Sequence, residues 1–467
     1  MALFPAAVIV ILLWLVLVIR DPDTGVVATL AVVPMGMFAA ANLGGLSILV
    51  LHLLAAMTIA VLGMRWMYRS GGHISRAIVT PATGFLLLFA LYSLFSAIVL
   101  VRYFAGQFLV FPMNVTSTGL AISTFFLSTM TPLAPGSSNI AQSGYILLTC
   151  VFFIAALDVF VRRAPRFGEG GLEIAAALNI LLGILDLMSL DPLLSVIRTA
   201  DYSLLNEHNF NGVPRVIGGY SEASGFGTAS AAFFGYFITS FLIRRRPGHG
   251  WLALGSLVCA LMSLSSSGIV AATVACILVL LHGPVYLGRG MSRAFGHWFV
   301  IVVSLGFAVL CLLMLSPAVA KSVESVLDWL IFSKAGSESG LERSAWARAG
   351  LQAFVDTNGL GAGAGSLRSN GLAAVLLGSV GLPGTLCFAG FLLTTLLGSR
   401  HIADEEDRRV FYAARVTALT LLSALLISAT TPNPTVFLVA MAALCTAARK
   451  RSHDPHHRAV LGYASSV

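Results

Sequence analysis

A polytopic α-helical membrane protein is the fold class that this sequence predicts, and three observations predict it. Of 467 residues, 57% are hydrophobic and only 10% charged, with a mean hydropathy of +0.90. Soluble domains carry about 25% charged residues, so this chain cannot clothe a water-facing surface. Apolar runs of about 20 residues, the length a helix needs to cross a bilayer, recur along the chain. The runs lack the short apolar-out, polar-in alternation of an outer-membrane barrel, and in lipid every backbone amide must be bonded within the protein. The expected architecture is all-α: a single integral membrane domain over 1–467, a helix bundle of about 12 spans with a large, partly helical outward loop.

The expected spans are 2–19, 25–63, 83–101, 140–161, 172–190, 226–243, 250–265, 268–286, 298–316, 373–398, 411–430 and 434–448. Met1 to Ile19 has neither a basic n-region nor a small-residue cleavage site and reads as a retained first span. The stretch 25–63 is long enough for two crossings, with Asn42-Leu43-Gly44-Gly45 as a break. The count is therefore 12 or 13, and the side of the N-terminus depends on it.

The later spans are oriented by charge. Basic residues cluster at Arg65/Arg69/Arg76, Arg162/Arg163/Arg166, Arg244-Arg245-Arg246, Arg289/Arg293, Arg400/Arg408/Arg409 and Arg449-Lys450-Arg451. Every second connection is basic, which assigns these and the C-terminus to the cytoplasm. The net charge of +8 is thereby explained by membrane sorting, without nucleic acid. All six cysteines lie in or beside apolar segments without metal-ligand spacing and read as small packing residues.

The alternate connections face outward, and three are long: 102–139, 191–225 and 317–372. The first is mostly apolar and reads as an interfacial or re-entrant piece. The second holds Arg198, Asp201, Glu207, His208, Arg215 and Glu222, and ends in Gly218-Gly219, where the backbone turns tightly into the next span. Arg215 and Glu222 are expected near the outer mouth; the plainer reading is a solvated loop with an interfacial arginine. In the third, Leu341 to Phe354 reads as a helix lying along the membrane face, bearing Arg343 and Arg348. Asn358 to Ser366 is glycine-rich and leads to Arg368.

That glycine run is not a dinucleotide fingerprint, because no strand precedes it. A glycine hinge opening a helix does form a concavity of backbone N–H groups suited to an anion, with Gly363 and Gly365 in it and Arg368 beside it. The alternative is a flexible loop with tight re-entry. Arginine suits bidentate phosphate recognition. Few ionisable residues fall within spans: Asp158 and Asp186 are near the ends of theirs, and His52 is isolated. That scarcity argues against an ion-coupled transporter.

These residues resemble the O-antigen ligase and Wzy-type polysaccharide polymerase superfamily. The likeness rests on ERSAWARAGLQAF with Arg343 and Trp346, the turn NGLGAGAGSLRSN, Gly381-Leu382-Pro383-Gly384, the segment PRVIGGYSEASGFG, and the span count. It implies a GT-C-like bundle in the inner membrane and a metal- and cofactor-independent glycosyltransferase acting at the periplasmic face. The substrate implied is an undecaprenyl-diphosphate-linked oligosaccharide, and membrane lipid and a chain-length regulator protein are the other partners. Ligases place a histidine after the glycine-rich turn; here Ser369-Asn370 stands there, which favours an exopolysaccharide or O-antigen polymerase.

On that reading Arg215 and Arg343, with Arg348 or Arg368, hold the pyrophosphate and glycan, and Glu222 or His208 supplies a base. Glu222 would equally serve to orient Arg215, and a loop histidine is ordinarily just solvated. The competing functions are an O-antigen ligase, a lipid-linked oligosaccharide flippase or other transporter, and a non-catalytic membrane component of a secretion assembly.

Overall fold

The computed structural model describes residues 2–43, 46–70, 78–113, 120, 128–201, 209–210, 213–287, 338–397, 402 and 404–453. The helices are α1 (Pro5–Arg20), α2 (Thr24–Ala31), α3 (Val50–Ser70), α4 (Pro81–Phe95), α5 (Ser137–Arg163), α6 (Glu169–Leu187) and α7 (Ala223–Arg244). They continue as α8 (Pro247–Met262), α9 (Ser266–Leu287), α10 (Glu338–Asp356), α11 (Leu372–Leu396), α12 (Glu405–Ser428) and α13 (Val436–His453). Helix α4 runs on through a π turn, Ser96–Leu100, to Tyr103.

Among the described residues, seven helical stretches are long and apolar enough to cross a membrane: Val50–Tyr68, Pro81–Tyr103, Ser137–Arg163, Pro165–Leu187, Ala223–Arg244, Leu372–Leu396 and Glu405–Ser428. Pro5–Arg20, Pro247–Met262 and Ser266–Leu281 are apolar but shorter. The expected span at 298–316 lies outside the described residues.

The stretch 25–63 departs from expectation. Its first part forms only the eight-residue α2. Pro34, which offers no N–H, stands just beyond, and Gly36 follows. The chain then pairs as strands β2 (Ala39–Leu43) and β3 (Leu46–Leu49), with β1 (Ala2–Leu3) on the outer edge of β2. The Asn42 to Gly45 break thus falls where β2 passes to β3, with Gly44 and Gly45 outside the described residues, and α3 starts directly after β3.

Helix α7 is the axis of the bundle. Of its most apolar window 89% is buried, and it packs against α8, α9 and α12. Its sequence explains this, since glycine, alanine and serine let neighbouring backbones approach. A Cβ on Gly227 would lie 2.4 Å from Ser263 Oγ, and one on Gly268 would lie 2.8 Å from the Gly227 Cα.

The charged helix ends of the basic connections close on one another at one end of the bundle. Asp23, fully buried, receives Arg65 at 2.7 Å, Arg162 at 3.0 Å and Arg163 at 2.8 Å. Arg409, 1% exposed, spans Glu169 through contacts of 2.5 and 2.6 Å and also reaches Glu406 at 2.8 Å. Arg451 pairs with Asp407 at 3.0 Å.

Two of the long connections carry short antiparallel strand pairs. In 102–139, β4 (Leu109–Val110) pairs with β5 (Thr131–Pro132); in 191–225, β6 (Asn209–Phe210) pairs with β7 (Val213–Pro214). In the third, helix α10 packs one face beside the first half of α11 and runs in the same direction, while Leu341, Leu351 and Val355 on it stay exposed. A Cβ on Gly378 would lie 2.6 Å from the Gly350 carbonyl, and one on Gly381 would lie 2.4 Å from the Leu360 carbonyl. The glycine-rich turn therefore ends beside Gly381, nine residues into α11. At 1.5 Å per residue that is roughly 14 Å below the start of that helix.

Burial alone would raise the Asp23 carboxyl. Hydrogen bonds from Arg162 and Arg163 and the charges of Arg162 and Arg65 outweigh it and hold it below its ordinary 3.8. A depressed carboxyl stabilises the fold above its unfolded pKa, and the contribution is lost as pH falls through the lowered value. Asp23→Ala leaves three arginines without their shared anion and is expected to cost about 3–5 kcal/mol at neutral pH. Thermal melting in detergent checks this, and the gap from the unaltered protein should narrow below about pH 4.

Candidate functional site

At the other end of the bundle, three remote segments bring charged side chains together. Helix α10 carries Glu342, Arg343 and Trp346 within its first turns. Glu222 stands just ahead of α7, and Arg368 lies in the strand-like return from the glycine-rich turn to α11. Arg343 Nη2 is 3.8 Å from Glu222 Oε2, with about a third of each side chain exposed (34% and 35%). Glu222 has extended backbone angles and does not cap its helix; its carboxylate accepts from Ser224 Oγ at 2.9 Å.

Behind this pair the contacts tighten. The Glu342 carboxylate accepts from the Ser128 amide at 3.0 Å and from Ser128 Oγ at 2.7 Å. Trp346 Nε1 donates to Ser128 Oγ at 2.9 Å. The Arg368 guanidinium lies 5.0 Å above the buried Trp346 ring and donates through Nη2 to the Met113 carbonyl at 2.8 Å. The Arg368 amide donates to the Phe111 carbonyl at 2.7 Å. Burial pushes this guanidinium below its ordinary value, against the pull of Glu342 and Glu222. Its Nε is buried and makes no hydrogen bond among the described residues. Two cations and two carboxylates thus share one partly open patch.

The expected site residues fare differently. Glu222, Arg343 and Arg368 are brought together. Arg215 is half-buried one residue after β7, on the same segment as Glu222. Arg348 is exposed on α10, with Nε 3.4 Å from the Ser344 carbonyl. His208 lies outside the described residues. Sequence reasoning gave no role to Ser128 or Glu342. Glu342 was visible as a neighbour of Arg343, whereas Ser128, 214 positions away, carries no local signal.

The glycine-rich turn is not the open amide cradle that its composition suggests. The amides of Gly361, Ala362, Gly363 and Ala364 donate to Thr357 Oγ1, the Gly378 and Ser379 carbonyls, and Ser96 Oγ. Those of Ser366 and Arg368 are likewise taken within the protein. Asn139 Nδ2 and Ser138 Oγ donate to the Ala364 and Gly365 carbonyls, both at 2.8 Å. The turn is wedged between α4, α5 and α11. Gly363 (φ +106°) and Gly365 (φ +81°) are needed for packing: their Cβ positions would lie 2.9 Å from the Ser96 carbonyl and 2.5 Å from the Ser138 carbonyl.

Among the described residues, Glu169, Glu173 and His249 bring metal-ligand atoms within 4.8 Å of one another, at the opposite end of the bundle. Arg409 spans Glu169 at 2.5 and 2.6 Å, and His249 sits between Ser240 and Glu173, each at 2.9 Å. A metal ion there would face a guanidinium, so the group is an ion-pair network joining helix ends.

If these glycines serve packing, Gly365→Ala should cost about 1–3 kcal/mol through backbone strain, read as lower folded yield and melting temperature in detergent. Unchanged yield and melting would return the turn to a ligand-binding role.

Compared with known proteins, the chain matches no protein-family model and no curated protein.

Proposed function

We propose that this chain is a polymerase-type glycosyltransferase. It joins undecaprenyl-diphosphate-linked oligosaccharide repeats at the periplasmic face of the inner membrane, during exopolysaccharide or O-antigen synthesis. The observation that carries this reading is the convergence of Arg343, Arg368, Glu222 and Glu342 at the end of the bundle opposite the basic connections.

A contact of 3.8 Å between Arg343 and Glu222 is long for a charge-assisted hydrogen bond. An incoming diphosphate would compete for Arg343 and release Glu222. The acceptor hydroxyl oxygen then attacks the anomeric carbon of the donor, and the bond from that carbon to the diphosphate oxygen breaks. Glu222 takes the hydroxyl proton, and lipid diphosphate leaves with its charge held by Arg343, Arg368 and Arg215. Cations preorganised around a leaving diphosphate act most strongly as its charge develops, each worth about 10²–10³ in rate. Two lipid-tethered substrates held at one membrane face also gain from orientation.

The proposed topology follows the same division of ends. Asp23, at the start of α2, meets Arg65 near the end of α3, so 24–65 leaves one end of the bundle and returns to it. Strand β1 pairs with β2 between those points. This favours an outward N-terminus, a cytoplasmic C-terminus and the odd count of 13 crossings, including the expected one at 298–316.

The polymerase reading is preferred over a ligase because of position 369. Ser369 is fully buried against α10, where a Cβ on Gly350 would already lie 2.3 Å from Ser369 Oγ. A histidine ring there would require α10 to move. A flippase is disfavoured because the described charges gather toward the two ends; Arg415, ten residues into α12, lies within reach of the charge of Arg449.

Arg343→Ala, Arg368→Ala and Arg215→Ala are each expected to abolish polymer while the protein still inserts, with single lipid-linked repeats accumulating in the glycan profile. Normal-length polysaccharide at normal abundance from these variants would overturn the assignment. Full-length polymer retained on its carrier would indicate a ligase, and repeats trapped on the cytoplasmic side a flippase.

A further inference from the structure

The segment bearing Arg215 and Glu222 is gripped by two residues outside it. Asp186, at the last turn of α6, turns its carboxylate onto the Ile217 and Gly218 amides, at 2.6 and 3.0 Å. Arg198 pairs with the same carboxylate at 2.5 Å. The Nε and Nη2 of Arg198 also donate to the Gly218 carbonyl, at 2.9 and 2.7 Å. One peptide turn is thus held by its N–H groups and its carbonyl at once, through charged partners on both sides. Both side chains of the pair are largely buried, 12% and 17% exposed.

The turn itself has no room to drift. Gly218 (φ +55°) lies against the Phe226 ring, which a Cβ would meet at 2.7 Å. A Cβ on Gly219 would meet the Pro34 carbonyl at 2.4 Å, and the Gly219 carbonyl accepts from the Met37 amide at 2.8 Å. Arg215 stands three residues before the gripped Gly218, and Glu222 four after it. The backbone from one to the other is short, so the orientation of this turn sets where both side chains point.

We propose that Asp186 and Arg198 are positioning residues, a clamp that fixes Glu222 and Arg215 against Arg343 on α10. This rests on the glycosyltransferase reading for its catalytic meaning, while the clamp itself is geometric. A charged clamp suits the task because hydrogen bonds to ionised groups are shorter and about twice as strong as neutral ones. Neither residue reaches the proposed substrate site. Their loss should lower kcat for repeat joining by about a hundredfold, the scale of an ångström-level misplacement, with KM for the lipid-linked donor little changed.

The test uses the full-length chain in membranes with two separate readouts. The first is crosslinking of Glu222→Cys to Arg343→Cys by a short bifunctional thiol reagent, in a background lacking the native cysteines. The second is the rate of repeat joining by the protein with positions 222 and 343 intact. Each is measured with Asp186, with Asp186→Asn, which keeps a carbonyl acceptor but loses the charge, and with Asp186→Leu. The expected result is a graded fall in both readouts, Asn intermediate and Leu lowest, at equal membrane abundance. Should Asp186→Leu fail to fold, Asp186→Asn alone still decides. Undiminished crosslinking in Asp186→Asn overturns the clamp whatever the activity does. Reduced crosslinking with an unchanged joining rate leaves the clamp standing and overturns the catalytic reading of Glu222 and Arg215.

Discussion

The hydrogen bonds that close the glycine-rich turn are the constraint on which the Arg343 end of this molecule depends. Non-helical backbone survives at membrane depth only where its polar groups are satisfied by protein or by a water-filled cavity. Residues 361–364 meet that demand through Thr357, Ser96 and the unwound carbonyls near Gly381. Gly381 has φ +61°, and Pro383 follows it, so α11 itself breaks where the turn docks. Two irregular segments thereby satisfy each other. Because the turn is seated, α10 descends beside α11, and Glu342, Arg343 and Trp346 are delivered to the mouth together with Arg368.

Charge is handled differently around Asp23 and Glu169 and in the patch around Arg343. Asp23 meets three guanidinium groups and Glu169 meets Arg409 at 2.5–3.0 Å, with Arg246 farther off at 3.8 Å from Glu169, and both carboxylates are buried. Breaking such pairs strands a buried charge, which makes them strong determinants of how helix ends assemble. Around Arg343 the pairing is long and about a third of each side chain is open. Arg368 is desolvated yet keeps an unbonded Nε among the described residues. Closed networks fit assembly; an incompletely paired one fits a ligand that brings its own negative charge.

Much of this was legible in the chain, for identifiable reasons. Helix type followed from hydropathy, because apolar runs of membrane length permit little else. The helix over Leu341 to Phe354 and the alternation of basic connections came from local pattern. Hydropathy could not show that the first half of 25–63 is a short helix followed by paired strands, since Ala39 to Leu49 is as apolar as a helix would be. The anion cradle was misread because glycine signals backbone freedom without saying what consumes the amides. Here the consumers, Ser96 and Gly378, lie on other helices. The Ser128 to Glu342 contact and the Asp186 clamp depend on tertiary closure across long sequence separation, where no local pattern reaches.

The break at Gly381 also bears on how this end could change over evolution. The nine residues of α11 above it pack with α10 and the turn, and the residues below continue as helix to Leu396. Residues 338–380 therefore form an insert whose fit is set by backbone contacts at a few glycines, and the side chains it displays at the mouth are largely free of that fit. Arg343 and its exposed neighbours could be exchanged while the seating stays constant. The same frame could then present different side chains at this end without rebuilding the bundle beneath it.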